Sequence, residues 1–235
     1  MVMVQIQQSV KRPRGRPQIR CDDDTRQLIV EAAAREFQAK GYAATCIGDV
    51  AQRAGVSTRT LYRLIPTKAS LFRAVVTDSI DGFMLAIDEQ VLATLTLEAA
   101  LERILAELGR LTLSKETIAV NRLVIGECER FPEIAAAFYE AAIQRVSDAM
   151  ANWLRRQGGQ GHIKLDDPQM AAGLLRGMMI LDPQRAAMLG QRGAPSPDEI
   201  AQRAKICATL FLEGCRAAST QPLTTQDASA VSETS

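Results

Sequence analysis

The sequence has few aromatic residues and only one histidine. Phe, Tyr and Trp make up 4% of its 235 residues, whereas hydrophobic residues as a whole make up 47%. Sparse aromatics together with many Ala, Leu, Arg, Glu and Gln favour helices over sheets. The histidine, His162, lies in a glycine-rich segment and has no partner at metal-ligand spacing. The sequence therefore predicts an all-α fold and no metal site.

The sequence patterns of common enzyme classes are also missing. There is no phosphate-binding P-loop and no GxGxxG pattern. One loop histidine cannot supply a robust Ser/His/Asp set, and the adjacent acids Asp88 and Glu89 point to different faces of a helix. We therefore predict no catalytic residues and no cofactor, and expect a protein that is not an enzyme.

Features of secreted and membrane proteins are absent as well. The best apolar stretch, Met170 to Leu181, is interrupted by Arg176 and is too short for the roughly 20 residues of a spanning helix. The N-terminus does not resemble a secretory signal. An odd number of cysteines without CxxC spacing indicates reduced thiols in the cytoplasm. These are Cys21, Cys46, Cys128, Cys207 and Cys215.

The net charge of +1 hides a strong asymmetry along the chain. Residues 1–73 hold 13 Lys or Arg and 6 Asp or Glu, a balance of +7. The remaining residues hold 15 basic and 21 acidic side chains, a balance of −6. Such a division predicts that the first part faces nucleic acid and that the second part has another role.

Residues 1–21 are predicted to form a flexible basic arm, and residues 220–235 a disordered tail. The arm contains Pro13-Arg14-Gly15-Arg16-Pro17, which resembles an AT-hook core. In one interpretation Arg14 and Arg16 enter a narrow minor groove. In the other, the arm is a solvated tail that contacts phosphates without preference. The sequence leaves both interpretations open.

Three short helical patterns occupy residues 22–70, the predicted DNA-binding domain. Asp24 is expected to cap the first helix, and Gly41 to end it. Thr45 is expected to cap the second helix. Gly55 then makes a tight turn and Ser57 caps the third helix, a pattern typical of a helix-turn-helix.

Residues 71–219 are predicted to form a helical regulatory and dimerisation domain. Thr67 caps a helix that is expected to reach about Leu92, and Pro132 begins one that extends to about Arg156. Further helices are predicted over 97–111, 115–129, 168–189 and 197–217. The last two carry small and medium residues that allow close approach of a second subunit, although they could instead complete the monomer core.

Many positions of the first domain match, in order, one known DNA-binding domain. They are Ala32-Ala33, Phe37, Gly41-Tyr42, Thr45, Val50-Ala51, Ala54-Gly55-Val56-Ser57, Thr60-Leu61-Tyr62, Pro66, Lys68 and Leu71-Phe72. This segment resembles the TetR family of transcriptional regulators. The segments Arg122 to Glu133 and Ala137 to Tyr139 are similar to the C-terminal region of the AefR-like subgroup. Two positions depart from the family pattern: Ile65 replaces an aromatic residue, and Cys46 replaces Ser or Thr.

The resemblance implies an all-α homodimer that binds a double-stranded operator through its first three helices. Arg59 is the best candidate for reading a base edge, and Thr58 and Thr60 are further base contacts, although Thr60 could serve only the helix cap. Tyr62, Arg63 and Lys68 are implied phosphate contacts. The predicted DNA-binding set is Thr45, Thr58, Arg59, Thr60, Tyr62, Arg63, Lys68, Arg14 and Arg16.

The resemblance also implies a small apolar or amphipathic ligand bound between the later helices. Residues of this kind are more often plain core, which is the alternative interpretation for each candidate. The candidates are Phe83, Met84, Ile87, Leu105, Leu108, Val124, Cys128, Phe138 and Met178. The leading hypothesis is a repressor released from a palindromic operator by that ligand. One alternative is an architectural DNA-binding protein with little sequence preference. Another is a nucleic-acid enzyme, which would need clustered carboxylates to bind metal, and the sequence shows no such cluster.

Overall fold

Helices form almost all of the chain between residues 21 and 215, the range that the structure, a computed structural model, describes. No strand occurs in that range, in agreement with the predicted all-α class. Its helices are α1 (Asp22–Ala44), α2 (Ile47–Ala54), α3 (Thr58–Leu64), α4 (Lys68–Ala86), α5 (Glu89–Leu92), α6 (Leu97–Thr112), α7 (Lys115–Glu127), α8 (Pro132–Phe138), α9 (Arg145–Gly159), α10 (Pro168–Met188) and α11 (Pro197–Cys215).

The helix-turn-helix forms where the local signals predict it. Gly55 adopts a left-handed conformation with φ of 68°, which glycine reaches without steric cost. The Ser57 side chain accepts a hydrogen bond from the backbone N–H of Thr60 and begins α3. Thr67 and Ser70 form a reciprocal capping box at the start of α4. Ile65 is 1% exposed, so it fills the core position left by the missing aromatic residue.

Two predicted helix caps are wrong. The residue before α1 is Cys21, not Asp24, since the helix starts earlier and the backbone N–H of Thr25 already donates to the Cys21 carbonyl at 3.0 Å. The residue before α2 is Cys46, not Thr45. The Thr45 hydroxyl instead donates to the carbonyl oxygen of Gly41 at 2.7 Å, and Thr45 is only 4% exposed. Gly41 itself, with φ of 79°, interrupts α1 as expected.

The predicted helix from Thr67 to Leu92 is in fact two helices. The chain leaves α4 after Ala86, because Asp88 adopts an extended conformation and its side chain caps α5. The predicted helix from Pro132 to Arg156 is continuous, but one π-helical stretch, Tyr139–Gln144, joins α8 to α9. The structure therefore adds a local widening of the helix that periodicity did not reveal.

The regulatory domain packs around α6. This helix lies against α11 and α10, while α10 also packs on α9 and α7. At Gly109 of α6 an added Cβ atom would lie 2.5 Å from Met179 Cε and 2.8 Å from Ile200 Cγ2. A side chain at this position would therefore require the side chains of Met179 and Ile200 to shift. Within residues 21–215, no helix is both long and apolar enough to cross a membrane.

Candidate DNA interface and ligand cavity

The recognition helix α3 presents several predicted DNA contacts to solvent. Thr58 and Arg59 are exposed in its first turn, and Tyr62 is 50% exposed one turn later. Leu61 is fully buried and fixes the opposite face of the helix against the core. Residues at the start of a recognition helix are those that reach base edges in the major groove. The geometry of Thr58 and Arg59 thus fits base reading, and that of Tyr62 fits a backbone contact.

Arg63 is exposed but already has a partner. Its two terminal nitrogens donate to the two carboxylate oxygens of Asp22 at 2.8 and 2.6 Å. This hydrogen bonding holds the pKa of Asp22 below its ordinary value. Arg26 of α1 donates to the Leu64 carbonyl at the other side of the same helix end. The start of α1 therefore anchors the end of α3, and a phosphate would compete with Asp22 for Arg63.

Lys68 lies at the start of α4 and touches the end of α1. Its ammonium group is 4.7 Å from the centre of the Tyr42 ring and donates to the Ala43 carbonyl at 3.2 Å. Partial burial lowers the pKa of Lys68, and the Glu127 carboxylate opposes that shift. Lys68 thus combines a predicted phosphate contact with a structural contact.

The remaining predicted DNA contacts differ in their availability. Thr60 is half-buried and its hydroxyl shares a hydrogen bond with Ser57, as the capping interpretation expects. Thr45 is buried and its hydroxyl is occupied, so its side chain is inaccessible to DNA in this conformation. Arg14 and Arg16 lie outside the described residues. Residues 1–20 nevertheless carry +5 of the +7 counted over residues 1–73.

A buried carboxylate that the sequence patterns did not reveal holds α1 against α2. Glu36 is 2% exposed and pairs with Lys40 at 2.8 Å and with Arg53 at 2.6 Å. Lys40 also reaches Asp49 at 2.7 Å. The hydrogen bonds from Lys40 and Arg53 hold the pKa of Glu36 below its ordinary value. This network fixes the orientation of α2, the helix that supports the recognition helix.

A largely apolar cavity of about 460 Å³ lies between the two domains. Its size is within the range of sites for small organic molecules, roughly 300–1,000 Å³. One wall is the DNA-binding domain itself, including Phe37 and Gly41 of α1. The other walls come from α4, α6, α7, the end of α8, the π-helical stretch, the start of α9 and α10. A molecule bound there would contact both domains at once.

Only two of the nine predicted pocket residues line this cavity: Leu108 and Phe138. The other seven do not line it, so a ligand contact by these residues stays a prediction that this cavity does not support. Four are core residues with 8% exposure or less. Those four are Phe83, Ile87, Leu105 and Val124, and the other three, which are partly buried, are Met84, Cys128 and Met178.

A second hollow of about 620 Å³ lies at the other end of α9. Its lining includes Glu89, Arg156, Gln157 and His162 and is more polar than that of the first cavity. The His162 ring lies 2.9 Å from the side-chain oxygen of Gln157. None of its lining residues belongs to the DNA-binding domain. We therefore take the apolar cavity as the candidate ligand site.

Glu127 connects the apolar cavity to the DNA-binding domain. It lines the cavity at the end of α7, and its two carboxylate oxygens accept the backbone N–H groups of Tyr42 and Ala43 at 3.1 and 2.9 Å. An added Cβ atom on Gly41 would lie 3.0 Å from one of these oxygens. We call this contact the Glu127 clamp. It holds the connection between α1 and α2 through charge-assisted hydrogen bonds.

Four of the ten aromatic residues of the chain gather around the clamp. The Tyr42 ring lies 5.6 Å from Phe37, 5.8 Å from Phe72 and 5.3 Å from Phe131, measured between ring centres. Burial, assisted by the Glu133 carboxylate, raises the pKa of Tyr42 to about 12. Because Phe131 belongs to the regulatory domain and the other rings to the first domain or α4, this cluster joins the domains.

The N-terminal and C-terminal helical regions each match a known protein family. Residues 29–75 match the family described as "Bacterial regulatory proteins, tetR family". Residues 99–215 match the family described as "AefR-like transcriptional repressor, C-terminal domain". The two matches, of 47 and 117 residues, together span 164 of the 235 residues. The first ends within α4, and the second contains most of the cavity-forming helices of the regulatory domain.

Individual relatives agree with this assignment. The HTH-type transcriptional repressor ComR of Escherichia coli is 33% identical over 113 residues, which are 48% of this chain and 52% of ComR. The match thus spans about half the length of that relative. A TetR-family regulator of Mesorhizobium loti has a similar structure, with a TM-score of 0.71 and 27% identity over 83% of this chain and 98% of the other.

More distant structures share the fold alone. The flavonoid-responsive regulator FrrA is 24% identical, with a TM-score of 0.67, and the match covers 83% of this chain and all of FrrA. FadR of Bacillus subtilis is 17% identical, with a TM-score of 0.63 over 80% of this chain and 98% of FadR. With both family matches and the helix-turn-helix geometry in agreement, the chain belongs to the TetR family of DNA-binding transcriptional regulators.

Proposed function

We propose that this protein is a homodimeric repressor that leaves a palindromic operator when a small molecule fills the apolar cavity. The observation that carries the proposal is the Glu127 clamp, because one carboxylate both lines the cavity and holds the α1–α2 connection. A ligand that displaces α7 would move the backbone of Tyr42 and Ala43. That backbone leads directly into α2, the helix that supports recognition helix α3.

Exposed apolar side chains on α10 and α11 support the dimer. Met170, Leu174 and Leu181 are 62%, 59% and 54% exposed, and their spacing places them on one side of α10. Ile206 and Leu210 of α11 are 52% and 57% exposed. A monomer would leave these side chains in water, whereas a second copy related by a two-fold axis would cover the same patch on both subunits.

The fold neighbours support a small-molecule ligand. FrrA is described as flavonoid-responsive, and FadR of Bacillus subtilis was solved in complex with stearoyl-CoA. In this chain the cavity touches helices of both domains, so a ligand could prefer one arrangement of the domains over another. Release from DNA requires only that the ligand binds more tightly to the arrangement whose recognition helices do not match the operator.

Selection of bound sequences from a random DNA pool tests the operator. The expected result is a two-fold-symmetric site whose half-sites lie one or more helical turns apart, each turn about 34–36 Å. A repressor should prefer that site over random DNA by at least about a thousandfold. Enrichment of no symmetric site would favour an architectural DNA-binding protein and overturn the repressor proposal.

Screening small apolar and amphipathic compounds for release of the selected operator tests the cavity. Ile180→Trp would fill part of the cavity, since Ile180 lines it on α10. Ile125→Trp is the matched control, because Ile125 is 61% exposed on α7 and does not line the cavity. Compounds that release DNA from the wild type and Ile125→Trp should fail with Ile180→Trp. Equal release from all three proteins would place the ligand elsewhere.

A further inference from the structure

Arg176 is an unusual side chain in the wall of the apolar cavity. It lies on α10, is half-buried, and donates one hydrogen bond from Nη1 to the Ser147 hydroxyl of α9 at 2.9 Å. Within residues 21–215, no carboxylate lies within salt-bridge distance of it. A guanidinium has five N–H donors and stays charged at neutral pH. One neutral hydroxyl therefore leaves most of its charge uncompensated.

Other arginines at helix contacts of this domain are used differently. Arg203 donates from Nε and Nη2 to the Met178 carbonyl, and Arg122 donates to the carbonyls of Ala187 and Met188. These arginines connect helices through backbone oxygens. Arg176 makes no such hydrogen bond among the described residues. Burial lowers the pKa of Arg176, and the charge interaction with Tyr139 opposes that shift.

The acidic residues of the cavity do not supply the missing partner. Glu127 is occupied by the backbone N–H groups of Tyr42 and Ala43. Glu116 is exposed and makes no ion pair with Arg176. A half-buried cation without an opposite charge is costly to the folded protein. A ligand that brings a negative charge would remove that cost and would gain charge-assisted hydrogen bonds.

We propose that the cavity binds an amphipathic monocarboxylate, with its carboxylate on Arg176 and its apolar body toward α4 and α6. The proposal rests on the proposed function of this cavity as the ligand site. Arg176 is the only Lys or Arg among the lining residues, so one negative charge matches it. A phosphate monoester carries about −1.5 to −2 at pH 7 and would lack a second cation. Val76, Ile80 and Leu108 supply apolar wall for the body of the ligand.

Calorimetric titration of the full-length protein with decanoate, decan-1-ol and decyl phosphate tests the proposal. The three probes share one alkyl chain and differ only in the head group. The wild type should bind decanoate at least about tenfold more tightly than either of the others, since a hydrogen bond to a charged group contributes about 1.5–3 kcal/mol. Equal affinity for decanoate and decan-1-ol would overturn the proposal, and so would preference for decyl phosphate.

Variants of Arg176 show whether this side chain causes the preference for decanoate. Arg176→Gln should lose the preference for decanoate by about 10- to 150-fold while it keeps its affinity for decan-1-ol, which reports an intact cavity. Arg176→Lys should retain part of the preference. Arg185→Gln removes the same charge from an exposed position on the same helix and should bind like the wild type. An unchanged preference in Arg176→Gln would overturn the assignment.

The proposed repressor function is tested independently of the monocarboxylate proposal. A wild-type protein that binds none of the three probes contradicts the monocarboxylate proposal, whatever its affinity for DNA. Selection from the random DNA pool uses no ligand, so it judges the operator independently. Arg176→Gln should also select the same DNA site as the wild type, because Arg176 contacts α9 and not the DNA-binding domain.

Discussion

The recognition helix and the ligand cavity differ in how far apart in the sequence their residues lie. Helix α3 presents its candidate contacts within Thr58–Leu64. The cavity is lined by residues from Ala34 to Gln184, taken from seven helices and the π-helical stretch. A site built from one short segment depends on local signals, whereas a site built from many helices depends on the whole packing. The two sites should therefore respond differently to substitution.

The largest expected effect comes from breaking the proposed dimer, on which operator affinity depends. Leu174→Glu places a charge in the exposed apolar stripe of α10 and should dissociate the subunits. Operator affinity should fall by about 10²- to 10⁴-fold, because the second recognition helix no longer binds as part of the same molecule. Sedimentation velocity and operator titration measure the two effects.

Leu85→Glu is the matched control for this substitution. Leu85 is 75% exposed on α4, away from the α10 and α11 stripe, so the variant should stay dimeric. If Leu174→Glu remained a dimer with normal operator affinity, the stripe would not be the dimer interface.

Substitutions in the DNA-binding domain should separate base reading from backbone contact. Arg59→Ala should weaken binding to the selected site by about 5- to 150-fold and relax specificity at one position per half-site, since a bidentate contact to guanine is worth about 1–3 kcal/mol. Lys68→Ala should weaken binding to all sequences and lower the salt dependence. Fluorescence titrations with altered versions of the selected DNA site, at two salt concentrations, distinguish base reading from backbone contact. Equal losses on every sequence from both variants would contradict these roles.

The sequence predicted the recognition helix well because its signals are local. Gly55 needs a left-handed conformation and Ser57 needs only the N–H of Thr60, three residues away. Local signals fail where a hydroxyl has more than one possible hydrogen-bond partner. Thr45 could have capped α2, but its hydroxyl donates to Gly41 in the preceding turn. The prediction of a helix cap therefore also requires the conformation of the residues that precede it.

Seven of the nine predicted pocket residues lie outside the apolar cavity for a physical reason. Periodicity identifies which side of a helix is buried, and Phe83, Ile87 and Leu105 are indeed buried. It does not tell whether that side meets another helix or an empty space. The position of the cavity depends on how helices that are distant in the sequence pack together. The Glu127 clamp is equally non-local, since it joins residues more than eighty positions apart.

The Glu127 clamp should couple the two sites. Glu127→Ala removes the acceptor of two backbone N–H groups and should weaken operator binding by about tenfold, equivalent to about 1.4 kcal/mol. It should also reduce the change in operator affinity that a cavity ligand causes, because the mechanical link is lost. Operator titrations with and without a releasing compound measure both. Glu129→Ala, at an exposed neighbouring position, should behave as the wild type. A normal ligand response in Glu127→Ala would separate the clamp from regulation.

The smallest expected effect concerns stability and contrasts two arginines of the regulatory domain. Arg203→Gln removes two hydrogen bonds to the Met178 carbonyl and should cost about 1–3 kcal/mol, since a partly buried acceptor loses a charged donor. For a protein of this size each kcal/mol lowers Tm by roughly 2–4 °C. Arg176→Gln should leave Tm at or above that of the wild type, because the protein does not compensate the charge of Arg176. Thermal unfolding without ligand compares the two variants. If Arg176→Gln lowered Tm as much as Arg203→Gln, Arg176 would stabilise the folded protein. The cavity would then hold no uncompensated charge for a ligand to bind.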